Sequence, residues 1–191
     1  MIALYFTRVS PIKIIEQDLI VDLQSRLTPK TASFFHFLSD TISFFSLGVP
    51  ILYILFALIN IEKRKTIIAS SLVILISLGF SGLIGATIKR VIKEPRPYSV
   101  DNRILKLGAG GSYSFPSGHS VEATVAVIGC SMLLFTSPLA ITLAVLWGIL
   151  VMFSRIILGV HSFTDVLGGI TLGSLGYTFV YEIYLSKYKK K

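Results

Sequence analysis

Five long apolar stretches dominate this chain, Ile42 to Ile61, Thr66 to Ile88, Gly118 to Ser137, Leu139 to Leu158 and Val166 to Leu185, and most of its charge lies between or beyond them. Each is close to the ~20 residues with which a helix crosses ~30 Å of hydrocarbon. Composition agrees with that pattern. Apolar residues make up 53% of the 191 positions, charged residues only 15%, and the mean hydropathy is +0.76, far from the averages of a soluble domain. The chain reads as an integral membrane protein. Its expected fold is all-α, a polytopic transmembrane helical bundle of about five spans.

Residues 1–41 do not supply a further span, because Arg8, Lys13, Glu16, Asp18 and Asp22 break every apolar stretch before it reaches spanning length. Ile15, Leu19, Leu23 and Leu27 recur every fourth position among Glu16, Asp18, Asp22 and Arg26. This is the pattern of an amphipathic helix lying in the membrane interface, with a cytosolic partner-binding helix as the alternative. The expected organisation is an N-terminal interfacial segment, 1–41, followed by a transmembrane domain, 42–191. The early apolar run Ile2 to Phe6 is too short, and lacks the preceding basic residue, for a cleavable signal peptide. Cys130 is the single cysteine and sits mid-span, so it reads as packing and no intramolecular disulfide exists. The net charge of +8 and the basic end, Lys187 with Lys189, Lys190 and Lys191, suit anionic lipid headgroups and not nucleic acid.

Following the spans in order puts the end of the second, the start of the third, the end of the fourth and the start of the fifth on one membrane face. Three polar blocks meet there: Lys89 to Arg96-Pro97, Pro116-Ser117-Gly118-His119, and Ser154-Arg155 to His161 to Asp165. The opposite face carries Lys63, Arg64, Lys65 and the lysine tail, so the positive-inside rule makes it cytoplasmic and turns the site outward. The site face carries basic residues too, Lys89, Arg90, Lys93, Arg96, Arg103 and Lys106 among them.

A charged side chain inside a span costs ~2.5 to 3.5 kcal/mol at mid-bilayer, so Arg155 and Asp165 need partners or a wet cavity. Either residue alone is as well explained as an interfacial anchor or a structural ion pair. Lys89 and Arg96 lie seven positions apart, two helical turns, and face one cavity if the helix continues until Pro95 and Pro97 break it. The Pro116-Ser117-Gly118 turn leads into a helix near His119, whose unpaired N–H groups and positive dipole end suit a phosphate. His161 and Asp165, four apart, share a face, and a carboxylate on one ring nitrogen leaves the other nitrogen's lone pair free as a nucleophile. Glu122, one turn beyond His119, either tunes that histidine or lines a polar cavity. His36, among Phe34, Phe35, Phe37 and Leu38, reads as an interfacial aromatic.

In this order and spacing (a lysine, six residues, Arg-Pro; Pro-Ser-Gly-His; Ser-Arg, five residues, a histidine, three residues, an aspartate), the chain resembles the type 2 phosphatidic acid phosphatase family. That family is related to bacterial acid phosphatases and vanadium haloperoxidases. The resemblance covers roughly Asp40 to the C-terminus. It implies that His161 attacks phosphorus to form a phosphohistidine, that Asp165 orients it, and that His119 protonates the leaving oxygen. It also implies that Lys89, Arg96 and Arg155, assisted by Ser117 and the Gly118 N–H, hold the phosphate oxygens, so that no metal and no cofactor is expected. Membrane members of the family usually have six spans; here the first is missing or reduced to the amphipathic segment.

The expected substrate is a phosphorylated membrane lipid in the bilayer: phosphatidylglycerol phosphate, undecaprenyl diphosphate or a lipid A phosphate. Arg103 and Lys106, in the glycine-containing segment Tyr98 to Phe115, are candidate headgroup contacts, or else belong to a plain solvated connector. A phosphotransferase would use the same residues, and a non-enzymatic lipid-binding or transport protein would use the cluster as an anion site. The expected location is a bacterial inner membrane, multi-pass, with the site on the periplasmic face. The sequence carries no signal for an oligomeric state.

Overall fold

The computed structural model describes residues 11–188; the first part of the amphipathic segment, 1–10, and Lys189, Lys190 and Lys191 of the basic tail lie outside the described residues. Among the described residues all regular structure is helical. Helix α1 (Pro11–Ser25) buries Glu16 and Ile20 against the protein. Ile20 is fully buried against Ile104, Ile156 and Val166, while Ile12, Ile15 and Leu19 are exposed. Glu16, Ile20 and Gln24 recur one turn apart on the protein-facing side.

Helix α2 (Pro29–Asp40) starts at a capping box between Thr28 and Thr31. It runs through a π-helical turn (Phe44–Gly48) into α3 (Val49–Ile59), so that the stretch Pro29–Ile59 forms the first candidate span. This span begins at Pro29 and not at Ile42. The polar residues of α2 are accommodated locally, with the His36 Nδ1 3.1 Å from Asp40 Oδ2.

Helix α4 (Arg64–Ile92) has 29 residues, about 44 Å, and so projects beyond the hydrocarbon. Lys89 and Arg90 occupy its last turn, where the dipole favours cations. It stops where Lys93 turns left-handed, φ 55°, and donates its N–H to the Lys89 carbonyl. A short α5 (Pro97–Val100) follows, then α6 (Gly118–Leu133), α7 (Pro138–Ile157) and α8 (Phe163–Tyr188). With only 16 residues, α6 is about 24 Å long, less than the hydrocarbon thickness, so one or both of its ends are sunk below the membrane surface. Among the described residues, four stretches are long and apolar enough to span a membrane, and the shorter α6 lies between two of them.

Helix α6 lies at the centre, against α4, α7 and α8. Val125 from it packs with Ile74 of α4 and Tyr177 of α8 in the main apolar core. In lipid, helices associate through close backbone approach rather than hydrophobic exclusion, and small residues permit it. Gly169 and Gly173 of α8 provide that approach: a Cβ at Gly169 would meet the Ser117 carbonyl at 2.6 Å, and one at Gly173 the Val121 carbonyl at 2.8 Å. The contact sets the helix that carries Asp165 against the helix that carries His119. Outward-facing Leu52, Leu55, Ile76, Leu83, Leu143 and Leu175 are exposed, as befits a surface solvated by acyl chains.

Candidate active site

The three polar blocks converge at one end of the bundle, joined by backbone hydrogen bonds: Ser117 N–H to the Asp165 carbonyl (2.9 Å), Ser114 N–H to the Glu94 carbonyl (2.8 Å) and Leu107 N–H to the Leu158 carbonyl (3.0 Å). Lys89 and Arg96 do meet, though not by helical phase. Helix α4 ends before Arg96, which sits in extended backbone just before α5, and chain reversal at Lys93 returns it to the site.

After α7 the chain turns through Gly159, φ 72°, and Val160 and His161 both donate their N–H to the Arg155 carbonyl at 3.2 Å. A Cβ at Gly159 would strike the Leu105 carbonyl, so both the left-handed backbone and the close approach require glycine. The turn swings His161 into the protein at 3% exposure, next to Asp165 at 1%. Its Nδ1 lies 3.5 Å from Asp165 Oδ2 and its Nε2 lies 3.4 Å from Arg96 Nη1. One ring nitrogen thus faces a carboxylate and the other a cation. Burial pushes the imidazole down to about 4, outweighing the neighbouring Asp165 carboxylate, which acts in the opposite direction.

Three cations gather at this end of the bundle, Arg96 in direct reach of the His161 ring. Arg96 donates from Nε to the Gly111 carbonyl (2.7 Å), from Nη1 to Val160 (2.7 Å) and from Nη2 to Tyr113 (3.0 Å). Lys89 donates to the carbonyls of Tyr113 (3.2 Å) and Ser114 (2.9 Å). Arg155 donates from Nη1 to Ser39 Oγ and from Nη2 to the Ala109 carbonyl (2.6 Å), while its buried Nε has no hydrogen-bond partner. All three side chains therefore reach the segment 109–114. Ser117 caps α6, its Oγ accepting the Ser120 N–H at 3.4 Å, and His119, in the first turn, is near enough to feel the charges of Arg155, Arg96 and Lys89. Among the described residues no group of three or more His, Cys, Asp or Glu is placed to hold a metal ion.

Arg103 and Lys106 are engaged elsewhere: Arg103 Nη2 lies 2.7 Å from both Asp101 Oδ2 and Asp18 Oδ1, and Lys106 sits over the Tyr98 ring. Four residues join the neighbourhood in roles that were not legible in sequence. Ser114 is fully buried, its Oγ bonds Asp165 Oδ2, and it lies 3.5 Å from His161 Nδ1. The Ser162 N–H also donates to Asp165 Oδ2, at 2.8 Å. Ser39, from α2, meets Arg155. Glu16, 6% exposed on α1, accepts the Thr164 N–H at 2.7 Å in the first turn of α8, beside Asp165.

The sequence profile of the PAP2 superfamily matches residues 70–189, which take in all three blocks. The chain belongs to the PAP2 superfamily. Among its PAP2 relatives, the lipid A 4'-phosphatase of Porphyromonas gingivalis is 28% identical over 179 residues, 90% of this chain and 73% of the relative. The undecaprenyl-diphosphatase of Sulfolobus acidocaldarius is 37% identical over 120 residues, 62% of this chain and 56% of the relative. The phosphatidylglycerophosphatase B of Bacillus subtilis is 33% identical over 138 residues, 67% of this chain and 64% of the relative. In three dimensions the PAP2 fold matches a transmembrane PAP2 type phosphatidylglycerolphosphate phosphatase from Bacillus subtilis, with a TM-score of 0.74, 25% identity, and coverage of 95% and 89% of the two chains. It also matches the fold of Aquifex aeolicus LpxE, with a TM-score of 0.68 at 20% identity and coverage of 88% and 95%. The profile match begins within α4, so α1 and α2, with Glu16 and Ser39, lie outside it.

Proposed function

We propose that this PAP2 protein is a phosphatase that removes a phosphoryl group from an amphiphilic membrane lipid through a phosphohistidine on His161. The observation that carries the reading is the placement of the His161 ring, Nδ1 toward Asp165 and Nε2 toward the Arg96 guanidinium. An Nδ1–H held toward Asp165 leaves the Nε2 lone pair directed at the place where Arg96, Arg155 and Lys89 would gather phosphate oxygens. Nε2 attacks phosphorus, the bond from phosphorus to the lipid oxygen breaks, and His119 gives that oxygen a proton. Water, losing a proton to His119, then attacks the phosphohistidine, and the P–N bond breaks to release inorganic phosphate and restore His161.

The cations supply positive charge that is in place before the reaction starts, the role Mg²⁺ fills in other phosphoryl-transfer enzymes. Before substrate arrives their N–H groups are occupied by neutral carbonyls of residues 109–114. An anionic phosphate makes stronger, charge-assisted bonds and displaces them. The lipid A phosphatase, undecaprenyl-diphosphatase and phosphatidylglycerophosphatase relatives support a lipid phosphate or diphosphate as the substrate class. Positive charge at Lys63, Arg64 and Lys65, at the far end of α4, supports an orientation with those residues cytoplasmic and the site on the outer face of a bacterial inner membrane.

The test is phosphate release by the purified protein from a panel of lipid mono- and diphosphates, with and without chelator. Turnover that persists in chelator and disappears in His161→Asn is expected; a strict requirement for Mg²⁺, or undiminished turnover in His161→Asn, would refute the scheme.

A further inference from the structure

Below the cation cluster, a cavity of about 490 Å³ opens between the π-helical turn, α4 and α6, with Lys89 and Gly118 at one end. Its wall is mostly apolar, but it carries polar groups that the phosphoryl chemistry does not use, among them Ser46 on the π-helical turn and Glu122 on α6. Glu122 lies four residues beyond Gly118, about 6 Å further along α6. The pair therefore sits just past the position of the phosphate, on the membrane side.

An ionisable side chain at this depth is costly unless it has a partner or a task. The partner Glu122 has is weak, a hydrogen bond from Ser46 Oγ at 3.4 Å. Ser81, also on this stretch of wall, is fully buried and turns its Oγ toward Gly176 of α8, so its hydroxyl stays out of the cavity. The backbone that presents Ser46 departs from α-helix over Phe44–Gly48, a distortion frequent at functional sites. A saturated or isoprenoid chain threaded here would bury the Glu122 acceptor and the Ser46 hydroxyl against hydrocarbon and leave both poorly satisfied. A lipid with oxygen or nitrogen close to its phosphate would satisfy them instead.

We propose that this cavity seats the polar linker of the substrate, the ester, amide or hydroxyl groups next to the phosphate, and that Glu122 with Ser46 selects such lipids over polyprenyl phosphates. The inference rests on the phosphatase reading above and narrows its substrate class. Glu122 accepts a hydroxyl or amide N–H of the linker, and the Ser46 hydroxyl donates to its carbonyls. Glycerophospholipids and acylated amino sugars share this chemistry; a polyprenyl chain, hydrocarbon from its first carbon, lacks it.

The test compares kcat/KM in detergent micelles for dipalmitoyl phosphatidate, a lipid A phosphate and farnesyl phosphate, using the full chain and the variants Glu122→Leu and Ser46→Ala. The full chain is expected to prefer at least one linker-bearing probe to farnesyl phosphate by about tenfold or more, and the faster of the two names the source. Glu122→Leu should shrink that preference by about tenfold and Ser46→Ala by less, while farnesyl phosphate turnover in the same preparations reports folding. A full chain that favours farnesyl phosphate, a preference unmoved by either variant, or an equal loss on all three probes would overturn the selection. If the full chain turned over none of the three, the phosphatase reading would fail and take the selection with it.

Discussion

A histidine can attack phosphorus only as the neutral ring, so the state of His161 sets the acid limit of the reaction. Burial holds that ring at about 4, with Asp165 opposing and Arg96 and Arg155 reinforcing the shift. Because the ring is neutral above that value and charged below it, the acid limb of kcat/KM should lie near pH 4. An acid limb near the free-solution value of about 6.5 would contradict a buried nucleophile. Ser114 works one atom further out. Its hydroxyl shares Asp165 Oδ2 with the Ser162 N–H, and removing it leaves a buried carboxylate short of a donor. Ser114→Ala should lower kcat by about tenfold to a hundredfold with little change in KM. It should also move the acid limb upward, because a less satisfied carboxylate favours the protonated imidazole. Equal effects on kcat and KM, with no shift of the limb, would make Ser114 a packing residue. The motif residues were legible because their types and spacings are rare together. Ser114 was not, since a serine in an irregular connection has no periodicity and its partner lies 51 positions away.

Among the helices, α8 carries the largest share of the geometry. Its first turn presents Asp165, its glycine face sets the distance to α6, and its second residue is tied to Glu16 of α1. In sequence Glu16 was one of several acids on a helix expected to lie in the interface. In the structure it turns inward and accepts an N–H at the exposed end of α8, as a capping side chain would. Glu16→Ala should therefore cost about 1–2 kcal/mol, read as a lower Tm in detergent, and should reduce kcat more than it raises KM. An unchanged Tm and kcat would leave α1 as a membrane anchor alone. Gly173→Leu should do more, because the new side chain meets the Val121 carbonyl and Thr124. Overpacking of this kind typically costs about 1–3 kcal/mol, and loss of folded protein on extraction is the expected readout. The spans were readable because hydrocarbon demands long apolar runs. The start of the first at Pro29 was hidden because the polar residues of α2 are balanced in space: His36 with Asp40, Ser39 with Arg155. The partners of Arg103 and Lys106, which are Asp101, Asp18 and Tyr98, were likewise not readable from the sequence.

At the scale of the whole molecule, folding brings cations from α4, the connection after it and α7 to the same end of a lipid-solvated bundle as a histidine that precedes α8. That convergence followed from counting spans, because an antiparallel series fixes which ends share a face. Distances and hydrogen-bond partners did not follow, since they depend on the reversals at Lys93 and Gly159. Sidedness can be read with single cysteines in a Cys130→Ala background. Lys63→Cys should resist a membrane-impermeant maleimide in intact cells and Arg103→Cys should react, and the reverse pattern would place the site in the cytoplasm. The most direct test of the chemistry is rapid acid-free quenching of the purified protein during turnover of a ³²P-labelled lipid phosphate, with the labelled residue located by mass spectrometry. Label on His161 that is stable to base, labile to acid and absent from His161→Asn is the expected result; turnover with no phosphoprotein, and inversion at a chiral phosphorus, would show direct attack by water and contradict the role given to His161.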